Sequence, residues 1–138
     1  MKCLCADLRR SARLLNRYYE QELQPAGLTP AQFELLANIS ARPGVSHSEL
    51  ANSLGMDQTT LSRNVKILVD KNWVQRASGA NDLRRAAYTL SPMGKEALGA
   101  ALPHWQRAHS HMQEALGNDW PAVWSNLEKL RQATPQSD

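Results

Sequence analysis

Thr59, Thr60, Ser62, Arg63 and Lys66 place three hydroxyls and two cations within eight residues. Groups of this kind donate to phosphates and to the edges of bases, so the chemistry on offer is hydrogen-bonded recognition of a polyanion. The same stretch carries Leu61, Val65, Leu68 and Val69 at offsets 0, 4, 7 and 8, the period of a helix with one buried side. At 100° per residue the opposite side presents Thr59, Arg63, Lys66 and Asp70, with Thr60 and Ser62 on its flanks. Gln58 lies nearer the packed side, but at the helix start it still reaches a base or a phosphate. The major groove admits an α-helix and shows a distinct donor and acceptor pattern for each base pair. Arg63, whose planar fork matches guanine, is the expected specificity residue, and Lys66 the expected phosphate contact.

Such a helix needs neighbours that fix its angle. Ser46-His47-Ser48-Glu49 has capping-box spacing and opens a short helix with inner face Leu50, Ala51 and Leu54. Gly55 suits the sharp turn that follows, and Asp57 can cap the next helix. Helix, three-residue turn, helix is the spacing of a helix-turn-helix; the plain alternative is a helical hairpin in an all-α core. Ser46, His47 and Ser48, at a helix N-terminus, are expected to donate to the DNA backbone. After Lys71-Asn72 the period changes to that of a strand. Trp73–Arg76 and Ala86–Leu90 read as hairpin arms around a polar tip, Ser78–Arg85, that carries Arg84 and Arg85.

The charge distribution points the same way. The whole chain of 138 residues has 16 Lys and Arg against 13 Asp and Glu. Residues 56–90 alone hold six basic residues (Arg63, Lys66, Lys71, Arg76, Arg84, Arg85) against three acidic ones, a surplus equal to that of the whole chain. A local basic patch suits a polyanionic partner, against the plain alternative of a solvated charged face. An apolar share of 42% supports a core in a single domain. No run approaches the roughly 18 apolar residues of a membrane span. Residues 1–20 are too charged for a signal peptide, and a cytoplasmic protein is expected.

The rest of the chain reads as helices. Residues 4–24 carry the stripe Leu4, Leu8, Leu15, Tyr19 and stop at Pro25-Ala26-Gly27. Thr29-Pro30-Ala31-Gln32 restarts a helix over 30–40, burying Phe33, Leu36 and Ala37. Ser91-Pro92-Met93-Gly94 begins a long helix to Leu116, expected to be interrupted and kinked at Pro103, and a last helix covers 121–133. Leu4, Leu8, Leu15, Trp120, Trp124, Leu127 and Leu130 exceed what a body of about 65 residues can bury. Apolar surface of that extent marks an interface, and a two-fold dimer would hold two reading helices about one DNA turn apart. The alternative is a monomer whose end helices fold back on its own body.

Cys3-Leu4-Cys5 invites a redox or soft-metal reading, with ordinary reduced thiols as the alternative. On a helix the two side chains point about 200° apart, which disfavours a disulfide between them. His104 and His111 share a helix face, but no carboxylate lies four residues from either, so no metal and no cofactor is expected. Nothing catalytic is present: no Gly-rich phosphate loop, no zinc spacing, no nucleophile elbow.

Taken together these pieces resemble the MarR family of winged-helix transcription regulators. The resemblance is carried in register by Gly27–Phe33, by Glu49-Leu50-Ala51 with Leu54-Gly55-Met56, by Thr59 to Val74, and by Asp82-Leu83-Arg84 with Leu90–Gly94. The last pair is similar to the family's wing pattern, with Ser91 where Thr is usual. Two departures stand out: Ile67 replaces a common basic residue on the outer side of the reading helix, and Arg85 adds a charge beside Arg84. The resemblance implies a mainly α fold with a small β-hairpin wing, all 138 residues forming one domain. Residues 28–91 would be the winged helix-turn-helix lobe, with dimerisation helices at 1–27 and 92–134. It implies a homodimer that binds double-stranded DNA at a pseudo-palindrome. It further implies a repressor, less often an activator, responding to a small lipophilic or phenolic effector or to oxidation, with a ligand pocket between the lobe and the dimer helices. Arg84 or Arg85 would enter a minor groove while Asp82 braces the wing. The rival expectation is a winged-helix module whose basic face meets an acidic protein.

Overall fold

Helix starts fall where a side-chain oxygen can take up N–H groups that the first turn leaves free. In the computed structural model, which describes residues 1–77 and 86–136, four of these oxygens do so. Thr29 and Ser46 complete capping boxes with Gln32 and Glu49. Asp57 accepts from Thr60 N at 2.7 Å, and Ser91 accepts from Gly94 N at 3.0 Å. The elements that result are α1 (Leu4–Leu23), α2 (Pro30–Ala41), β1 (Val45–Ser46), α3 (His47–Leu54) and α4 (Gln58–Asp70). β2 (Val74–Ala77), β3 (Ala87–Leu90), α5 (Pro92–Leu116) and α6 (Trp120–Ala133) follow.

Two helix ends set the path of the lobe. After α3, Gly55 adopts φ 63°, with Met56 N bonded to Ala51 O and Gly55 N to Asn52 O. This pair of bonds is a Schellman stop, so α3 leaves through a left-handed residue straight into the Asp57 cap. α4 ends the same way: Asn72 takes φ 61°, while Trp73 N meets Leu68 O and Asn72 N meets Val69 O. The chain is thereby turned into β2.

The expected two-armed hairpin is part of a three-stranded antiparallel sheet of order β1-β3-β2. β3 is its centre, pairing Tyr88 with Val45 on one side and with Arg76 on the other. A two-residue strand such as β1 is too short for periodicity to announce it. The expected wing tip, with Asp82, Arg84 and Arg85, lies outside the described residues. Leu35, Leu36, Ile39, Leu50, Leu61, Val65, Leu68 and Tyr88 are each 0–1% exposed and form the centre of the core.

α1 runs along α5, and Arg107 faces Glu22 across them at 3.6 Å. Contrary to expectation α5 is continuous through Pro103. The donor that proline lacks would have served Gly99, and both residues are exposed, so water can satisfy the carbonyl at little cost. α6 buries no residue, and α1 buries only Leu23.

Ser91 and Gly94 fasten α5 to the sheet. Ser91 N donates to Trp73 O, and the Ser91 hydroxyl donates to Asn72 O. A β-carbon at Gly94 would overlap the carbonyl oxygen of Trp73, backbone that cannot swing away. Gly94→Ala is therefore expected to destabilise the fold by roughly 1–3 kcal/mol, the usual cost of overpacking. Urea unfolding of the two proteins measures it, and an unchanged midpoint would refute the close approach.

Candidate nucleic-acid interface

α4 divides as its sequence pattern predicts. Leu61, Val65 and Leu68 are each 0% exposed, while Gln58, Thr59, Thr60, Arg63 and Lys66 lie on the surface. Fully burying a Val or Leu side chain stabilises by about 1.5–3 kcal/mol, so the inner side is held by the core without help from a ligand. Not every outer group is idle. The Thr60 hydroxyl donates to Asp57 at 2.9 Å, and Lys66 Nζ pairs with Asp70 at 2.8 Å. That pair is exposed on both sides, and such pairs are worth little in water, so a phosphate can displace Asp70 from Lys66. Ile67, 45% exposed, sits on the outer side.

His47 departs from expectation. Instead of facing a DNA backbone it is 0% exposed, held between Tyr88 of β3 and the first turns of α4. Its Nδ1 lies 2.7 Å from the Tyr88 hydroxyl and its Nε2 3.1 Å from the Gln58 carbonyl oxygen. Carbonyls only accept, so Nε2 carries the proton and Nδ1 accepts from Tyr88. Ser62, expected on the groove side, is half-buried; its hydroxyl donates to Gln58 O at 2.8 Å and stands 3.3 Å from His47 Nε2. Burial raises the Tyr88 hydroxyl above its ordinary value against the pull of Arg76. Ser46 and Ser48 stay half-exposed at the start of α3, with the Ser46 oxygen engaged as cap.

The sequence counts Arg76 in the basic patch, but nothing in it points to Tyr88 as a partner of His47. Ala86, Tyr88 and Leu90 alternate along the arm and are buried, but nothing in that alternation tells a packing tyrosine from one whose hydroxyl has a partner.

The chain has relatives over this lobe and beyond it. Residues 26–85 match the MarR family. The multiple antibiotic resistance protein MarR of Escherichia coli is 37% identical over 82 residues, which cover 59% of this chain and 54% of that protein. The matched segment thus spans about half the length of this curated relative. The M. tuberculosis transcriptional regulator MosR, solved in complex with DNA, is 36% identical with a TM-score of 0.85, covering 96% of both chains. The chain belongs to the MarR family. A third structure, the transcriptional repressor CouR bound to a 23-mer DNA duplex, is 26% identical with a TM-score of 0.82, covering 94% of this chain and 92% of that one.

For a MarR-family chain the space between lobe and terminal helices is of interest. Here a cavity of about 260 Å³ lies between α1, α2 and α5. Tyr19, Leu23, Phe33, Glu34, Asn38 and Trp105 are among its walls. Burial pushes the Glu34 carboxyl above the ordinary carboxylate value. Trp105 stacks on Phe33 at 5.7 Å and on His109 at 4.5 Å, and His109 meets Trp120 edge-on at 5.0 Å. His109 is thus an aromatic packing residue, and His111 packs on Tyr18. No helix among the described residues is long and apolar enough to cross a membrane. Cys3 and Cys5 are exposed free thiols.

The Asp57 cap has a pH signature. The Thr60 N–H, the Thr60 hydroxyl, the Thr59 N–H and the Arg63 charge hold its carboxyl below the ordinary value. A carboxylate lowered by folding stabilises above the unfolded value, and that contribution is lost as pH falls through the folded one. The stability gap between wild type and Asp57→Ala should therefore be present at neutral pH and narrow below about pH 4. Denaturation midpoints at a series of pH values report the gap, and one that stays constant to pH 2 would refute the assignment.

Proposed function

We propose that this chain is a dimeric, sequence-specific DNA-binding transcription regulator, a repressor released by a small ligand or by oxidation. The observation that carries the reading is the exposed, cationic and hydroxyl-bearing side of α4, set on a helix whose other side is wholly buried. MosR and CouR, relatives with the same fold, have been solved with DNA bound.

In this reading Gln58, Thr59, Thr60 and Arg63 meet base edges in the major groove, with Arg63 the main specificity residue, and Lys66 meets phosphate. Ser46 and Ser48 donate to the DNA backbone from the start of α3. Arg84 or Arg85 supplies a wing contact in the minor groove, and Asp82 braces that wing. His47 and Ser62 leave the contact set, because their polar atoms face inward. The lobe is residues 28–91, and the helices of 1–27 and 92–134 make the dimer. Leu4 and Trp124 are 64% and 52% exposed on a single chain. Leu4 and Leu8 of α1 line an apolar groove with Val123, Leu127 and Leu130 of α6. Apolar side chains so placed favour burial against a second copy.

The cavity walled by Phe33, Trp105 and Glu34 is the proposed effector site, of a size for one small aromatic molecule. Cys3 and Cys5 are accessible to oxidants. A regulator of this kind works where the chromosome is, in the cytoplasm, and needs no catalytic chemistry.

Selecting bound duplexes from a random pool tests the reading. Two related half-sites about one helical turn apart are expected. A pool that stays random would favour instead a module that meets an acidic protein. Arg63→Ala should then cost about 1–3 kcal/mol and relax the preference at one base step. Titrations on the selected site and on single-base variants measure this; equal weakening on every sequence would rule out base reading by Arg63.

A further inference from the structure

We infer that His47 is a positioning residue that ties the reading helix to the wing strand, so that the two DNA-facing elements hold one relative placement. The inference rests on the functional reading above and concerns a group that touches no DNA.

Four observations converge. First, the imidazole is 0% exposed and has protein partners at both nitrogens, which leaves it no face for a ligand. Second, those partners belong to different elements. Nδ1 accepts from Tyr88 on β3, while Nε2 donates to the carbonyl of Gln58, the first residue of α4. Third, Ser62 closes the arrangement from the next turn of α4 by donating to the same carbonyl. Fourth, β3 is the strand that carries the wing. It pairs with β2 through Arg76 opposite Tyr88, and in sequence the segment that joins the two strands holds Arg84 and Arg85.

The α4 end of this joint sits among the residues that read bases. Gln58 carries the carbonyl that His47 holds, and Thr59 follows it directly. A shift of this turn relative to β3 changes the span between major-groove and minor-groove contacts. Apolar packing at Leu61 and Val65 fixes the depth of α4 in the core but not its slide, because dispersion contacts have little directionality. A buried hydrogen bond is directional, and a polar atom left unpaired there is costly. The imidazole therefore supplies the register that the apolar seam lacks.

The chemistry suggests two conservative variants. Tyr88→Phe keeps the ring in the core and removes only the hydroxyl. His47→Gln keeps a donor in the place of Nε2 and loses the acceptor at the place of Nδ1. Both break the His47–Tyr88 bond, and Tyr88→Phe also removes the hydroxyl that Arg76 faces, so the double variant should bind the selected operator no more weakly than Tyr88→Phe alone. Each single variant should weaken operator binding about three- to tenfold, the scale of one neutral buried hydrogen bond.

The deciding measurement repeats Tyr88→Phe in a protein that already carries Arg84→Ala and Arg85→Ala. It is made at low salt, where the weakened complex is still measurable. With no wing contact left to align, Tyr88→Phe should change its affinity by less than about twofold, a cost well below that of one such bond. Circular dichroism and melting curves of every variant confirm that folded proteins are compared. Equal weakening in both backgrounds would overturn the inference, since a bond that merely stabilises the fold acts with or without a wing. No weakening in the wild-type background would overturn it too. A parent protein that prefers no duplex over random DNA would refute the functional reading instead, so the two failures are distinguishable.

Discussion

A polar ring sealed from water must have its hydrogen bonds met inside the protein, and His47 imposes that constraint on the whole lobe. Its partners come from β3 and from the first turn of α4, and its own backbone N–H donates to Ala86 O. Three elements, α3, α4 and β3, therefore meet at this one histidine. β1 belongs to this setting: its two residues pair with β3 and carry the chain to the cap of α3, directly before the histidine.

Around that joint the division of labour is energetic. The inner side of α4 is held by burial worth several kcal/mol, which leaves the outer side free to be chosen for recognition. The exposed Arg63, and the weak pair between Lys66 and Asp70, cost little to rearrange. α6 presents the opposite case. It buries nothing on a single chain, and its aromatic and aliphatic side chains find partners on α5 at the corner and along α1 at the groove. A helix with so little cover is stable mainly through what packs on it, which is why the proposed second copy matters to the fold as well as to half-site spacing.

Much of this was legible in the residues because local rules and global packing agree. The caps at Thr29, Ser46, Asp57 and Ser91 were readable from type and spacing, as were the Gly55 turn and the two sides of α4. Pro103 does not interrupt α5, because the cost of a lost donor depends on whether water can replace it, and exposure is not written in a single residue type. His47 was misjudged for a related reason. At a helix start it looks like a surface donor, and only the fold brings Tyr88 and the first turn of α4 against it. The partner hydroxyl on Tyr88 is 41 residues away, beyond any local pattern. The wing arginines are read from sequence alone, since their segment lies outside the described residues.

The cavity and the terminal helices are one mechanical unit. Phe33 and Trp105 wall the cavity, Trp105 stacks on His109, and His109 meets Trp120 at the first residue of α6. An occupant pressing on Trp105 therefore presses on the side chain that seats the corner between α5 and α6. α2, which supplies Phe33 and Glu34, also packs on α4 and β3. In the proposed reading, a ligand in this cavity touches both the helix layer that sets the distance to a second copy and the layer that backs the reading helix. Close-packed interiors pass displacement on rather than absorb it, so the cavity is placed where a small molecule can alter half-site spacing without entering the DNA face.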